Sequence, residues 1–126
     1  MARILLIEDE PNIQRLIGYA LQTKGHDVSV AQDGSDGLQV ARTQTPDLIL
    51  LDMVMPEMSG MEVLMALKGD SSLKSIPVLI VTASAQKEEA EKAIELGAAD
   101  YLIKPFRVQD LHEAVMELLG NVRATP

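Results

Sequence analysis

Apolar residues follow two alternating rhythms along this chain. Short unbroken runs, "RILLI" at Arg3–Ile7, "LILL" at Leu48–Leu51 and "VLIV" at Val78–Val81, read as buried strands. "DVSVA" at Asp27–Ala31 alternates and "YLI" at Tyr101–Ile103 is brief; both complete the set of strands. Between them lie stretches with helical spacing. Pro11–Lys24 carries Ile13, Leu16, Ile17, Ala20 and Leu21 on one face, with Pro11 suited to the first helical position and Gly25 just past the end. A short helix over Ser35–Gln44 is stopped by Pro46. Ser59 and Glu62 have the spacing of a capping box, ahead of a helix that turns Val63, Leu64 and Leu67 inward. Ser84 is expected to cap a helix over Gln86–Leu96, closed by Gly97. The last helix, Val108–Leu119, aligns Leu111, Val115, Leu118 and Leu119, and Gly120 follows it.

Strands alternating with helices predict an α/β fold, a parallel sheet covered on both faces. Five such units joined by right-handed crossovers make a doubly wound sandwich. The 126 residues fit one domain, taken as residues 1–120, with residues 121–126 expected as a flexible tail or the start of a linker.

Composition narrows the function. Apolar residues make up 47 % of the chain and aromatics 2 %, so the core is aliphatic and methionine-rich. Five of the seven methionines fall between Met53 and Met65, where core filling is the plainer reading than a docking stripe. The net charge of −8 speaks against a nucleic-acid surface, which needs a basic stripe. With no cysteine there is neither a disulfide framework nor a thiolate metal site. His26 and His112 lack metal-ligand spacing and are expected at the surface. The apolar run near the N-terminus is too short for a signal-peptide core, and none approaches membrane-spanning length. A cytoplasmic protein with no membrane contact is the expectation.

The polar residues that follow the strands carry the chemistry. In an open parallel sheet, ligands bind beyond the carboxyl ends of the strands. Glu8 and Asp9 follow the first strand, Asp52 the third, Thr82 the fourth and Lys104 the fifth. Taken singly, each has a plainer role: a charge at a helix start, a turn former, a cap, a solvated lysine. Their order after different strands of one sheet sets them apart. Three crowded carboxylates raise one another's pKa unless a cation joins them. An oxygen-only set suits a hard divalent ion, and Mg²⁺ usually takes one or two carboxylates and completes its shell with water and phosphate oxygens. Phosphoryl transfer needs an in-line nucleophile and neutralised equatorial oxygens. Asp52 can be that nucleophile, Lys104 can neutralise, and the Thr82 hydroxyl can donate a hydrogen bond.

With these residues in place, "LLIEDE", "DLILLDMVMPEMSG", "PVLIVTA" and "GAADYLIKPF" closely resemble the signature blocks of the response-regulator receiver domain, the CheY-like family. The resemblance covers about Ala2–Leu119. It implies the flavodoxin-like strand order 2-1-3-4-5. It implies that Glu8, Asp9, Asp52 and the backbone carbonyl of Val54 hold Mg²⁺, with Mn²⁺ a possible substitute, and that Asp52 is the phosphoacceptor. Thr82 and Tyr101 match the switch pair, Lys104 the phosphate-binding lysine, and Lys104–Pro105 a cis peptide.

The same resemblance implies a phosphorelay role. The phosphodonor is a sensor histidine kinase or phosphotransfer protein, which relatives dock near the first helix, where Asn12, Gln14 and Arg15 lie. An effector of unknown identity is met by the face of the fourth helix, fifth strand and fifth helix, carrying Lys87, Glu91, Glu95, Leu102 and Arg107. Such a domain is a phosphoacceptor, not an enzyme, beyond self-catalysed phosphotransfer and slow autodephosphorylation. Ala99 stands where DNA-binding relatives that dimerise through this face usually carry Asp, and "VQDLHEAVMELLG" has no Lys or Arg, so neither that dimer nor direct nucleic-acid binding is expected. Val54 is apolar where many relatives are polar, which predicts a long-lived acyl phosphate. A haloacid-dehalogenase-type phosphatase would need an acid two residues after Asp52, where Val54 stands. A flavodoxin would need a Ser/Thr/Gly-rich phosphate cradle after the first strand. A degenerate receiver acting as an unphosphorylated scaffold is the remaining alternative.

Overall fold

A computed structural model describes residues 2–83 and 87–123. The elements run β1 (Arg3–Ile7), α1 (Pro11–Gln22), β2 (Asp27–Ala31), α2 (Gly34–Gln44), β3 (Leu48–Asp52), α3 (Gly60–Gly69), β4 (Val78–Thr82), α4 (Lys87–Glu95), β5 (Asp100–Ile103) and α5 (Val108–Arg123). The five strands form one parallel sheet in the order β2-β1-β3-β4-β5. The chain therefore leaves β1 toward one edge and returns to β3 on the other side, so the switch point lies between β1 and β3.

Period-2 alternation splits the strands between two cores. Leu5, Ile7, Ile49 and Leu51 pack beneath α2, α3 and α4, against Leu38, Leu64, Leu67 and Ala93. Ile4, Leu6, Leu48 and Leu50 pack beneath α1 and α5, against Ile17, Leu21, Leu111 and Val115. Every residue of β3 and β4 is buried, which explains their unbroken apolar runs. Met53 is buried, and Met55, Met58 and Met61 pack against the first of these cores, while Met65 is exposed. Among the described residues, no helix is long and apolar enough to cross a membrane.

Local chemistry sets the ends. The Glu10 carboxylate accepts from the N–H groups of Asn12 and Ile13, so it caps α1 with Pro11 in the first turn. Asp33 caps α2 through the Asp36 N–H, which starts the helix at Gly34, one residue before the expected Ser35. The capping box of α3 is present on both sides: Glu62 N–H donates to Ser59 Oγ at 3.3 Å, and Ser59 N–H to Glu62 Oε1 at 3.2 Å. The expected Ser84 cap and the Gln86 helix start lie outside the described residues, as does the Lys87 side chain.

Three expectations need correction. α1 ends at Gln22, not Lys24, because Lys24 and Gly25 turn back onto Leu21 and Gln22, with Gly25 at φ +83°. Leu16 is not a core residue: it is 46 % exposed and borders a surface groove described below. α5 does not stop before Gly120 but continues through it to Arg123, because an exposed glycine costs helix only about 1 kcal/mol and needs a cap to end it.

Candidate phosphoryl-transfer site

Glu8, Asp52 and Lys104 continue the strand alternation of Leu6, Leu50 and Leu102, which all belong to the α1/α5 core. Register then brings them together, since Ile7 sits beside Leu51 in the sheet. Lys104 Nζ lies 2.9 Å from Glu8 Oε1 and 3.8 Å from Asp52 Oδ2. Asp9, half-buried, joins the cluster: one carboxylate oxygen each from Glu8, Asp9 and Asp52 fall within 4.8 Å of one another. Among the described residues the buried polar side chains are Glu8, Asp52 and Thr82, each at the carboxyl end of a different strand.

Each group is held by its neighbours. Glu8 Oε2 accepts from Glu10 N–H at 3.1 Å, and the Gln14 amide donates to the Glu8 carbonyl at 2.6 Å. Asp52 Oδ1 accepts from Val54 N–H at 3.2 Å. Lys104 N–H donates to the Thr82 carbonyl at 2.7 Å, tying the residue after β5 to the last residue of β4, and the Lys104–Pro105 peptide is cis. Gly60 lets α3 start directly against the acidic strand. A Cβ there would stand 2.5 Å from the Asp52 carbonyl oxygen and 2.5 Å from Met53 Cα, both backbone atoms that cannot swing aside. Glu10 and Gln14 are supports that sequence reading missed. The acidic residue before a helix-starting proline was the signal for Glu10; Gln14 was named only as part of the docking helix, and nothing in the sequence marked it as a support of Glu8.

Burial first, and then the Glu8 carboxylate, push the Asp52 carboxyl from 3.8 up to about 6, against the pull of the Val54 N–H and of the Lys104 ammonium. A carboxylate so destabilised gains from any added cation. The donor set is oxygen only, so the three carboxylates could hold a hard divalent metal ion.

Tyr101 stands apart from this cluster. It is half-exposed on β5 beside Ile80, on the same sheet face as Thr82, whose register partner is Ile103. Val54, two residues after Asp52, is 66 % exposed. Glu91, Glu95 and Arg107 are exposed and Leu102 is half-buried, as expected of an outer face. His26 and His112 are half-buried. Alongside Lys104, an apolar groove of about 320 Å³ is lined by Ile13, Leu16, Ala83, Pro105 and Phe106.

The sequence profile of the response regulator receiver domain matches residues 4–116. The chain belongs to the response regulator receiver domain family. Similar receivers include the chemotaxis protein CheY4 of Vibrio cholerae, whose structure superposes with a TM-score of 0.89 at 30 % identity, covering 94 % of this chain and 98 % of that one. The protein PilH of Pseudomonas aeruginosa is 36 % identical over 96 % of this chain and 100 % of its own length. The DNA-binding dual master transcriptional regulator RpaA of Synechocystis is 39 % identical over 100 % of this chain, which spans 52 % of RpaA. The receiver thus spans about half the length of the first curated relatives it matches.

Proposed function

We propose that this receiver accepts a phosphoryl group on Asp52 from the phosphohistidine of a sensor histidine kinase or phosphotransfer protein. The convergence of Glu8, Asp9, Asp52 and Lys104 at one rim supports the reading above all. An Asp52 carboxylate oxygen attacks phosphorus in line; the O–P bond forms as the N–P bond breaks, and the imidazole nitrogen leaves with the bonding pair. Lys104 sits where it can move from Glu8 onto a phosphoryl oxygen. Glu8, Asp9, Asp52 and the Val54 carbonyl would hold Mg²⁺ or Mn²⁺, which supplies charge neutralisation at the phosphoryl oxygens. The rigid end of β3, locked by the Gly60 contact, holds the nucleophile in place.

Signal output follows from the new dianion. Thr82 donates a hydrogen bond to it, and Tyr101, on the same sheet face, turns into the space released, which shifts α4, β5 and α5 toward an effector-binding state. The groove of Ile13, Leu16 and Phe106 beside Lys104 receives the phosphodonor, which accounts for an exposed Leu16. The domain is a phosphoacceptor that catalyses its own loading and slow unloading, with no further substrate. Incubation with a small acyl-phosphate donor and Mg²⁺ tests this. Intact mass should rise by one phosphoryl group, and Asp52→Ala should abolish the rise; a mass that stays constant, or a gain that survives the substitution, removes the reading.

A further inference from the structure

β2 forms one margin of the sheet, and α1 lies alongside it. Between them runs a groove of about 430 Å³, walled by Arg15 and Tyr19 on the helix and by Val28 and Val30 on the strand, with Gly18 between. Tyr19 is 73 % exposed and Val30 42 %, so two large apolar side chains face solvent on this one margin. This groove is on α1 and β2 and shares no lining residue with the groove beside Lys104.

The backbone of β2 says what kind of group can lie there. Asp27 N–H donates to the Ala2 carbonyl at 2.9 Å, and the Ala31 carbonyl accepts from Glu8 N–H at 3.0 Å. Peptide groups alternate in direction along a strand, so Asp27, Ser29 and Ala31 bond toward β1, and Val28 and Val30 turn their N–H and C=O groups to the open edge. The same two valines put their side chains into the groove. A chain that hydrogen-bonds to that edge therefore delivers alternate side chains between Val30 and Tyr19. Gly18 leaves room for them: a Cβ there would meet nothing within 4 Å, so the helix gives up propensity at this position with no packing reason to do so.

Charge selects the partner further. Arg15 is the charged residue of the lining; its guanidinium donates to the neutral Asn12 Oδ1 at 2.6 Å, and no ion pair to it is found among the described residues. The lining contains no carboxylate, so a second copy related by a two-fold axis brings none from the matching surface, and two chains of net charge −8 repel. We propose that the β2–α1 groove captures an extended segment of a partner protein, added as a strand to β2, with apolar residues at alternate positions and an acidic residue opposite Arg15.

The test uses the isotope-labelled full chain and a nine-residue capped peptide of alternating valine and threonine with one glutamate, beside a version with lysine in its place. The glutamate peptide should protect the Val28 and Val30 amides from exchange and bind at least tenfold more tightly than the lysine peptide. Arg15→Glu should reverse that order. Gly18→Leu, whose Cβ meets nothing within 4 Å and whose side chain occupies the groove, should weaken both at least tenfold while phosphoryl acceptance from a small donor is unchanged. The proposal is overturned by amides left unprotected at millimolar peptide, by affinities indifferent to both variants, or by peptide-free dimers that protect the same two amides.

Discussion

Asp52→Asn separates the electrostatic strain of the pocket from its chemistry. The wild-type carboxyl is raised from 3.8 to about 6, first by burial and then by Glu8. A raised acid pKa means that the folded state holds the proton more tightly than the unfolded chain. Ionisation of Asp52 therefore costs stability: the cost is absent below the unfolded value, grows as pH climbs toward about 6, and is constant above it. About two pH units at ~1.4 kcal/mol each give a ceiling of about 3 kcal/mol. The amide never ionises and keeps an oxygen to accept from Val54 N–H. That ceiling already includes the attraction to Lys104 at 3.8 Å; solvent screening at the rim discounts it, so the net gain is set at about 1–3 kcal/mol near neutral pH without divalent ions. Urea denaturation followed by far-UV circular dichroism, in chelator, measures it. The variant should be more stable at about pH 7.5, and the gap should close toward about pH 4. Millimolar Mg²⁺ should then stabilise the wild type more than the variant, by ligand linkage. A variant no more stable than wild type at about pH 7.5, or a gap equal at both pH values, refutes the argument.

Lys104→Met should destabilise the fold by about 3–5 kcal/mol, because it leaves Glu8, 1 % exposed, facing Asp52 without a cation; chemical denaturation reads this, and Mg²⁺ should restore part of it. Val54→Asn should give an attacking water one orienting hydrogen bond, worth ~1 kcal/mol, and shorten the acyl-phosphate lifetime roughly two- to tenfold in a mass-spectrometric decay assay; unchanged or slower decay removes the idea. Gly60→Ala should cost about 1–3 kcal/mol, since its Cβ meets backbone at 2.5 Å. Gly18→Ala should instead stabilise by ~0.5–1 kcal/mol, which thermal unfolding of the pair would compare directly.

Much of this was legible in the chain itself. β1 and β2 begin and end where the apolar pattern says, and the Ser59–Glu62 box announced α3. The acidic and basic residues after the strands identified the rim before any register was known. Strand order came from the resemblance, since periodicity does not say which strands are neighbours. Leu16 was misjudged because helical spacing cannot tell a core face from a groove lip one residue away. Gly120 was over-read as a stop, since glycine ends a helix through its left-handed cap and not by mere presence. The supporting role of Gln14 was invisible because its partner is a backbone carbonyl six residues back, which only the folded turn supplies.

The Lys104–Glu8 pair joins residues 96 positions apart, and so sets an order of assembly. β1 and β3 are central neighbours, so a growing chain gathers its carboxylates once the first half has emerged. Their counter-charge rides just past β5, an edge strand and the last of the five to leave the ribosome. A nascent or partly unravelled chain thus holds the acids together without the ammonium that steadies them, and the proposed phosphoacceptor pocket is whole only in the completed sheet.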